Sequence, residues 1–322
     1  MLKKVIFLAV CMLAVSTMSI SAEDEKNALD YIPPSNFVGG WEANGNELLL
    51  HPNDAAFILG DDLPLLLEYD LVWFATETYG NYRDEITIEI YEFPSASDAY
   101  GFYGLSPTPY AEKDDITGIV VQPYGLPPTP KIDTIRNVAD KFLEGCKDRF
   151  YFRIVQENMS EDLYEIGVYM LARFPGSSTP ADIIGVLPVD DRVMGTERYI
   201  RGPVGLDLLL QWNGDDVFGF DEFDWKAASG EYRLGGGEYC LLVVAEYEDA
   251  DSCSSATELL QGYFQDHDWE TVILSPLENG AHPRGFSRDT CAAFWPDGNH
   301  LVLLWDLTDL EALSAALSQQ GG

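Results

Sequence analysis

The sequence predicts an α+β protein: two similar modules from an internal duplication, each a mostly antiparallel sheet with helices packed on one face. Three observations carry that expectation. Runs of apolar residues with strand character occur on both sides of residue 180, each followed by a capped segment of helical character. The elements come in the same order twice. A Pro/Gly/Ser-containing stretch, "PGSSTPADIIGVLPVDD" (175–191), separates the two series.

In the first series, "ETYGNYRDEITIEIYEF" (77–93) alternates as a strand hairpin does, and "ASGEYRLGGGEYCLLVVAEY" (228–247) repeats the pattern, with Tyr82-Arg83 and Tyr232-Arg233 as the matched dipeptides. Helices are expected next. Ser95 stands three before Asp98, and Ser255 three before Glu258, the spacing at which a cap oxygen takes a free backbone N–H and the acid bonds back. This assigns Asp98 a structural role at a helix start, where a carboxylate also suits the positive end of the helix. Later strands match as "RFYFRIV" (149–155) and "HLVLLW" (300–305), the latter following a hairpin turn at Asp297-Gly298. Each leads to a helix whose cap is read as Asn158 with Glu161, and Thr308 with Glu311. Leu163, Ile166, Met170 and Leu171, then Leu310, Leu313 and Leu317, supply the apolar stripes. The proline-rich stretch 105–131 reads as a surface excursion. The modules are therefore assigned to 41–180 and 181–322, behind an N-terminal extension, 23–40.

The chain opens with Lys3 and Lys4, an apolar run to about Val15 and small residues ending at Ala22, the layout of a signal peptide spanning 1–22. A lipid anchor at Cys11, in the rough lipobox "LAVC", is the less favoured alternative. The expected location is periplasmic or secreted, with no membrane insertion after cleavage. Removing the leader leaves 17 basic residues (19 less Lys3 and Lys4) against 54 acidic ones, a net charge of −37. Such a surface repels phosphate backbones, which excludes nucleic acid as a partner. With 46% hydrophobic and 12% aromatic residues the chain still has the material for a core. Four cysteines remain, Cys146, Cys240, Cys253 and Cys291, and an even count in an exported chain makes them disulfide candidates with three possible connectivities.

"GGWEANG" (39–45), "HPNDAAFIL" (51–59), "SASDAYGFYG" (95–104) and "TERYIRGPVGL" (196–206) together resemble an uncharacterised family of exported bacterial proteins, a domain of unknown function. The resemblance runs over nearly the whole chain beyond the leader and implies export and a two-part body. It brings no established activity and no catalytic residue.

Motifs that carry chemistry are scarce. The nearest approach to a nucleophile elbow, "RGFSRD" (284–289), has Arg288 where glycine is needed. The histidines, His51, His267, His282 and His300, have no local partner pattern, and "DHD" (266–268) lacks the helical spacing of a metal site. No cofactor is expected; calcium is the one ion for which the acidic stretches "NGDDVFGFDEFD" (213–224) and "EDADS" (248–252) offer oxygens, without the EF-hand order. "LGGGEY" (234–239) precedes a strand and reads as a turn, not a phosphate loop. No catalytic residue is assigned. The function expected is non-catalytic binding of an unknown ligand or protein partner at the seam between the modules. A carboxylate-dependent hydrolase of carbohydrate or ester substrates is the alternative among enzymes. A structural or assembly role is the alternative outside them.

Overall fold

The computed structural model describes residues 26–105, 134–138, 142–156, 161–177, 180–212, 214–234, 237–272, 274, 277 and 283–307. The leader, most of the proline-rich excursion, Asn158, His282 and the Thr308–Glu311 cap lie outside them.

Where the sequence alternates, strands form. β1 (Glu42–Ala43) and β2 (Leu48–Leu50) both pair with β3 (Trp73–Gly80), which makes a hairpin with β4 (Glu85–Glu92). A meander of β5 (Thr134–Val138), β6 (Phe142–Lys147) and β7 (Phe150–Gln156) then closes against β4, so the first sheet runs β1-β3-β4-β7-β6-β5. The second sheet holds β8 (Arg198–Ile200), β9 (Trp225–Arg233), β10 (Tyr239–Tyr247), β11 (Glu270–Val272), β12 (Arg284–Ser287), β13 (Cys291–Asp297) and β14 (His300–Leu307). Its order is β11-β12-β13-β14-β10-β9-β8. Every pairing is antiparallel, and the protein is α+β.

The two sheets share a path: β3-β4-β7-β6-β5 has the connectivity of β9-β10-β14-β13-β12. Details agree. The β6–β7 and β13–β14 hairpins each turn on two residues, and the first of these takes a left-handed conformation in both, Asp148 at φ 53° and Gly298 at φ 63°. Helices fall at equivalent places. α1 (Ala56–Leu59) and α2 (Leu63–Glu68) lie between β2 and β3, as α5 (Pro203–Leu210) lies between β8 and β9. α3 (Ala96–Leu105) follows β4 as α6 (Ala250–Asp266) follows β10, and α4 (Glu161–Arg173) follows β7.

Two local assignments shift. Ser255 and Glu258 do not cap a helix: α6 starts six residues earlier on Asp249, whose carboxylate accepts the Ser252 N–H at 2.7 Å. "EDADS" is therefore a helix start, and Ser255 sits mid-helix with its hydroxyl donated to the Asp251 carbonyl. The counterpart of Asp98 is Ser252, with acid and serine exchanged between cap and third position. The Tyr-Arg dipeptides do not correspond either, since Tyr82-Arg83 is in the β3–β4 turn and Tyr232-Arg233 ends β9.

Three clusters of buried side chains order the layers. On the outer face of the first sheet, Ile86, Ile88, Ile90, Phe152 and Ile154 pack against Leu163, Ile166 and Met170 of α4. Its inner face, with Phe74, Tyr91 and Tyr151, carries Ala99 and Phe102 of α3, and the same cluster continues into Leu242, Val244, Trp295 and Leu304 of the second sheet. The far side of that sheet packs against Leu260 and Phe264 of α6. The N-terminal extension joins the first of these cores, where Ala28 and Tyr31 are buried.

The four cysteine candidates are not paired. Cys146, Cys240, Cys253 and Cys291 form no disulfide, and all four are buried. Cys253 belongs to a different core cluster from the other three. Cys240 and Cys291 lie on strands separated by β14, about 10 Å apart at ordinary strand spacing, beyond the reach of a disulfide. Burial raises the Cys240 thiol to about 12 and the Cys253 thiol to about 11, so both are thiols and not thiolates at neutral pH. Among the described residues no helix is long and apolar enough to cross a membrane.

Candidate functional site: the seam cleft

α2 and α5, equivalent elements of the two halves, pack on one another, as like elements do across an isologous dimer. α5 begins at Gly202, which has no side chain to cap it, and the first half supplies the cap. Glu68, the last residue of α2, accepts the N–H groups of Val204 at 2.7 Å and Gly205 at 2.9 Å. Only glycine allows this approach, because a Cβ on Gly202 would stand 2.7 Å from Glu68 Oε2 and one on Gly205 2.9 Å from Oε1. Burial pushes the Glu68 pKa up, against the lowering effect of the backbone N–H donors and of Arg201.

Beside this contact the Tyr69 hydroxyl donates to the Tyr199 carbonyl at 2.5 Å. Gly101 of α3 lies so close to the same two rings that a Cβ there would be 2.3 Å from Tyr69 and 2.7 Å from Tyr199. Arg201 then bridges two carboxylates of the first half: Nη1 donates to Asp98 Oδ1 at 3.0 Å, and Nη2 to Asp70. Asp98 is held from its own helix as well, through its N–H to Ser95 Oγ at 3.2 Å and the Ser95 hydroxyl to its Oδ2 at 2.6 Å. The serine half of the cap expected at Ser95 and Asp98 is present; the acid accepts from the Ser95 hydroxyl, and it has a second duty across the seam. Two of the four family-like stretches, "SASDAYGFYG" and "TERYIRGPVGL", thus meet here, 103 residues apart in sequence.

Next to the Arg201 bridge opens a cleft of ≈ 1090 Å³. The first half contributes Pro64, Leu67, Glu68, Asp70 and Asp98; the second contributes Tyr199, Arg201, Val204, Phe220, Asp224, Trp225, Lys226, Glu246 and Glu248, among others. Six carboxylates face two cationic groups. Lys226 is engaged with Glu246 at 3.1 Å.

Other sequence candidates resolve into structure. His51 stacks on Trp73 with ring centroids 3.8 Å apart, and His267 shares its Nδ1 with the Tyr263 carbonyl at 2.9 Å. Asp216 of the acidic stretch 213–224 accepts the N–H groups of Phe220 and Asp221, which makes it a turn-former. Among the described residues no group of three or more His, Cys, Asp or Glu could hold a metal ion. Glu161 is the first residue of α4.

A second polar cluster has no sequence signature. Glu89, Arg153 and Glu144 stand in register across β4, β7 and β6 on the inner face of the first sheet. Arg153 reaches Asp62 at 3.1 Å and Glu89 at 4.0 Å, the Tyr91 hydroxyl donates to Glu89 at 2.8 Å, and Tyr151 donates to Glu144. Burial raises the Glu89 pKa, with Arg153 and the Tyr91 hydroxyl opposing it. In "ITIEIYE" the glutamate occupies what simple alternation takes for a solvent face; in the fold Arg153, the Tyr91 hydroxyl and Asp62, from the segment before α2, surround it.

Comparison of the chain with family models, with curated proteins and with solved structures gives no match.

Proposed function

We propose that this is an exported, acidic protein that holds a ligand in the seam cleft without transforming it. One observation carries the reading: the cleft is built jointly by both halves and is bordered by the Arg201 bridge to Asp70 and Asp98. A cleft at an interface of two modules, part apolar and part charged, is where ligands are commonly bound. The Arg201 guanidinium keeps two of the carboxylates in ion pairs, Lys226 holds Glu246, and Glu68 is committed to the α5 N-terminus, so four of the six acids have structural partners. Export rests on the leader-like residues 1–22 and on the family resemblance, and an internal duplication is the simplest origin of the shared strand path.

Purified protein screened by thermal shift against amines, amino acids, peptides and sugars should give stabilising ligands whose effect is lost in Leu67→Glu. A parallel panel of chromogenic glycosides and esters should give no turnover. Robust turnover abolished by Asp98→Asn or by Asp70→Asn would replace this reading with the hydrolase.

A further inference from the structure

We propose that the occupant of the seam cleft is an extended peptide segment carrying lysine or arginine, an inference that rests on the seam being a binding site. Both cationic groups of the wall are already engaged, Arg201 by Asp70 and Asp98 and Lys226 by Glu246. Asp224 and Glu248 are exposed on the same wall and form no ion pair among the described residues, so an incoming ligand meets uncompensated negative charge. Leu67 and Phe220, one from each half, leave 44% and 38% of their surfaces exposed there. They offer an apolar grip that a bare cation does not use. Positive charge alternating with apolar side chains is the chemistry of a basic peptide; a polyamine lacks the apolar side chains. The volume of ≈ 1090 Å³ lies just above the roughly 300–1,000 Å³ usual for small ligands, which leaves room for several residues.

The test is a fluorescence-anisotropy titration of labelled acetyl-KLGKFG-amide with the purified full chain at low salt. The same peptide acetylated on both lysines, and spermidine as competitor, form parallel arms. Saturable binding is expected, weakened about tenfold or more by acetylation and reduced by added salt. Asp224→Asn with Glu248→Gln should weaken it several-fold without changing thermal unfolding. The charge-matched pair Glu258→Gln with Asp266→Asn, on the exposed side of α6, should leave it intact. Equal binding of the acetylated peptide overturns the proposal, as does an unchanged affinity in the cleft double variant or tighter competition by spermidine than by unlabelled peptide. Absence of peptide binding overturns it as well. The broader thermal-shift screen then decides the seam separately: a neutral or anionic ligand lost in Leu67→Glu keeps the site and removes the peptide, and no ligand of any class removes both.

Discussion

Glu68→Ala takes away the cap that one half of the molecule lends to the other. The two bonds it removes, 2.7 and 2.9 Å long, run from the first turn of α5 to a carboxylate and are charge-assisted. Loss of an N-cap is worth about 0.5–2 kcal/mol, and hydrogen bonds to charged groups about 1.5–3 kcal/mol. Part of this is offset, because the raised Glu68 pKa shows that burying the charge is itself unfavourable. A net loss of about 2 kcal/mol is expected, a fall in Tm of about 3 °C for a chain of this size. Glu68→Gln keeps an acceptor oxygen at the helix end and should lose only about 1 kcal/mol. Urea unfolding followed by tryptophan fluorescence measures both. If alanine and glutamine are equally harmful, or alanine changes stability by less than about 0.5 kcal/mol, the cap across the seam is not holding the halves together.

Three further outcomes follow from the same structure. Gly101→Ala should destabilise by about 1–3 kcal/mol, since its Cβ would overlap the Tyr69 and Tyr199 rings; an unchanged Tm contradicts the close approach. Because the four described cysteines form no disulfide and are buried, reductant should leave Tm unchanged, and their thiols should react with a chromogenic disulfide only after denaturation. The raised Glu89 pKa sets a pH signature. A carboxyl that holds its proton more tightly when folded adds stability as pH falls through its folded pKa, an addition complete below the ordinary glutamate value. Wild type should therefore gain stability relative to Glu89→Gln as pH is lowered from 7 towards 4.5. Asp249, whose helix-cap bonds lower its pKa, acts in the opposite sense and is common to both proteins. A difference independent of pH contradicts the assignment of Glu89 as a desolvated acid.

What could be read from the sequence was local. Alternation in "ITIEIYEF" and "RFYFRIV" placed β4 and β7, and the serine three before Asp98 placed the start of α3, because these signals lie within one element. The second helix start was misplaced because serine spacing at 255–258 imitates a cap, while the acidic residues before it read as oxygens for a calcium ion. Pairing of cysteines failed for a different reason: counting them says nothing of which faces and strands they occupy. The seam was expected between the halves, but none of its joints could be named, since Glu68 meets Val204 across 136 residues and Arg201 meets Asp98 across 103. "RGPVGL" held the clue, as a helix start with two glycines and no capping side chain requires an acceptor from elsewhere. Glu89 was hidden by the rule that polar residues in an alternating strand face water, which fails where a buried ion-pair cluster with Arg153 occupies the polar side.

Hydrogen–deuterium exchange of the protein with and without acetyl-KLGKFG-amide tests the claim of a seam binding site most directly. Slowed exchange should be confined to the C-terminal part of α2, the stretch from Tyr199 through α5, and the chain around Phe220 to Lys226. Protection spread evenly over the acidic surface, or confined to the outer face of the first sheet, contradicts it.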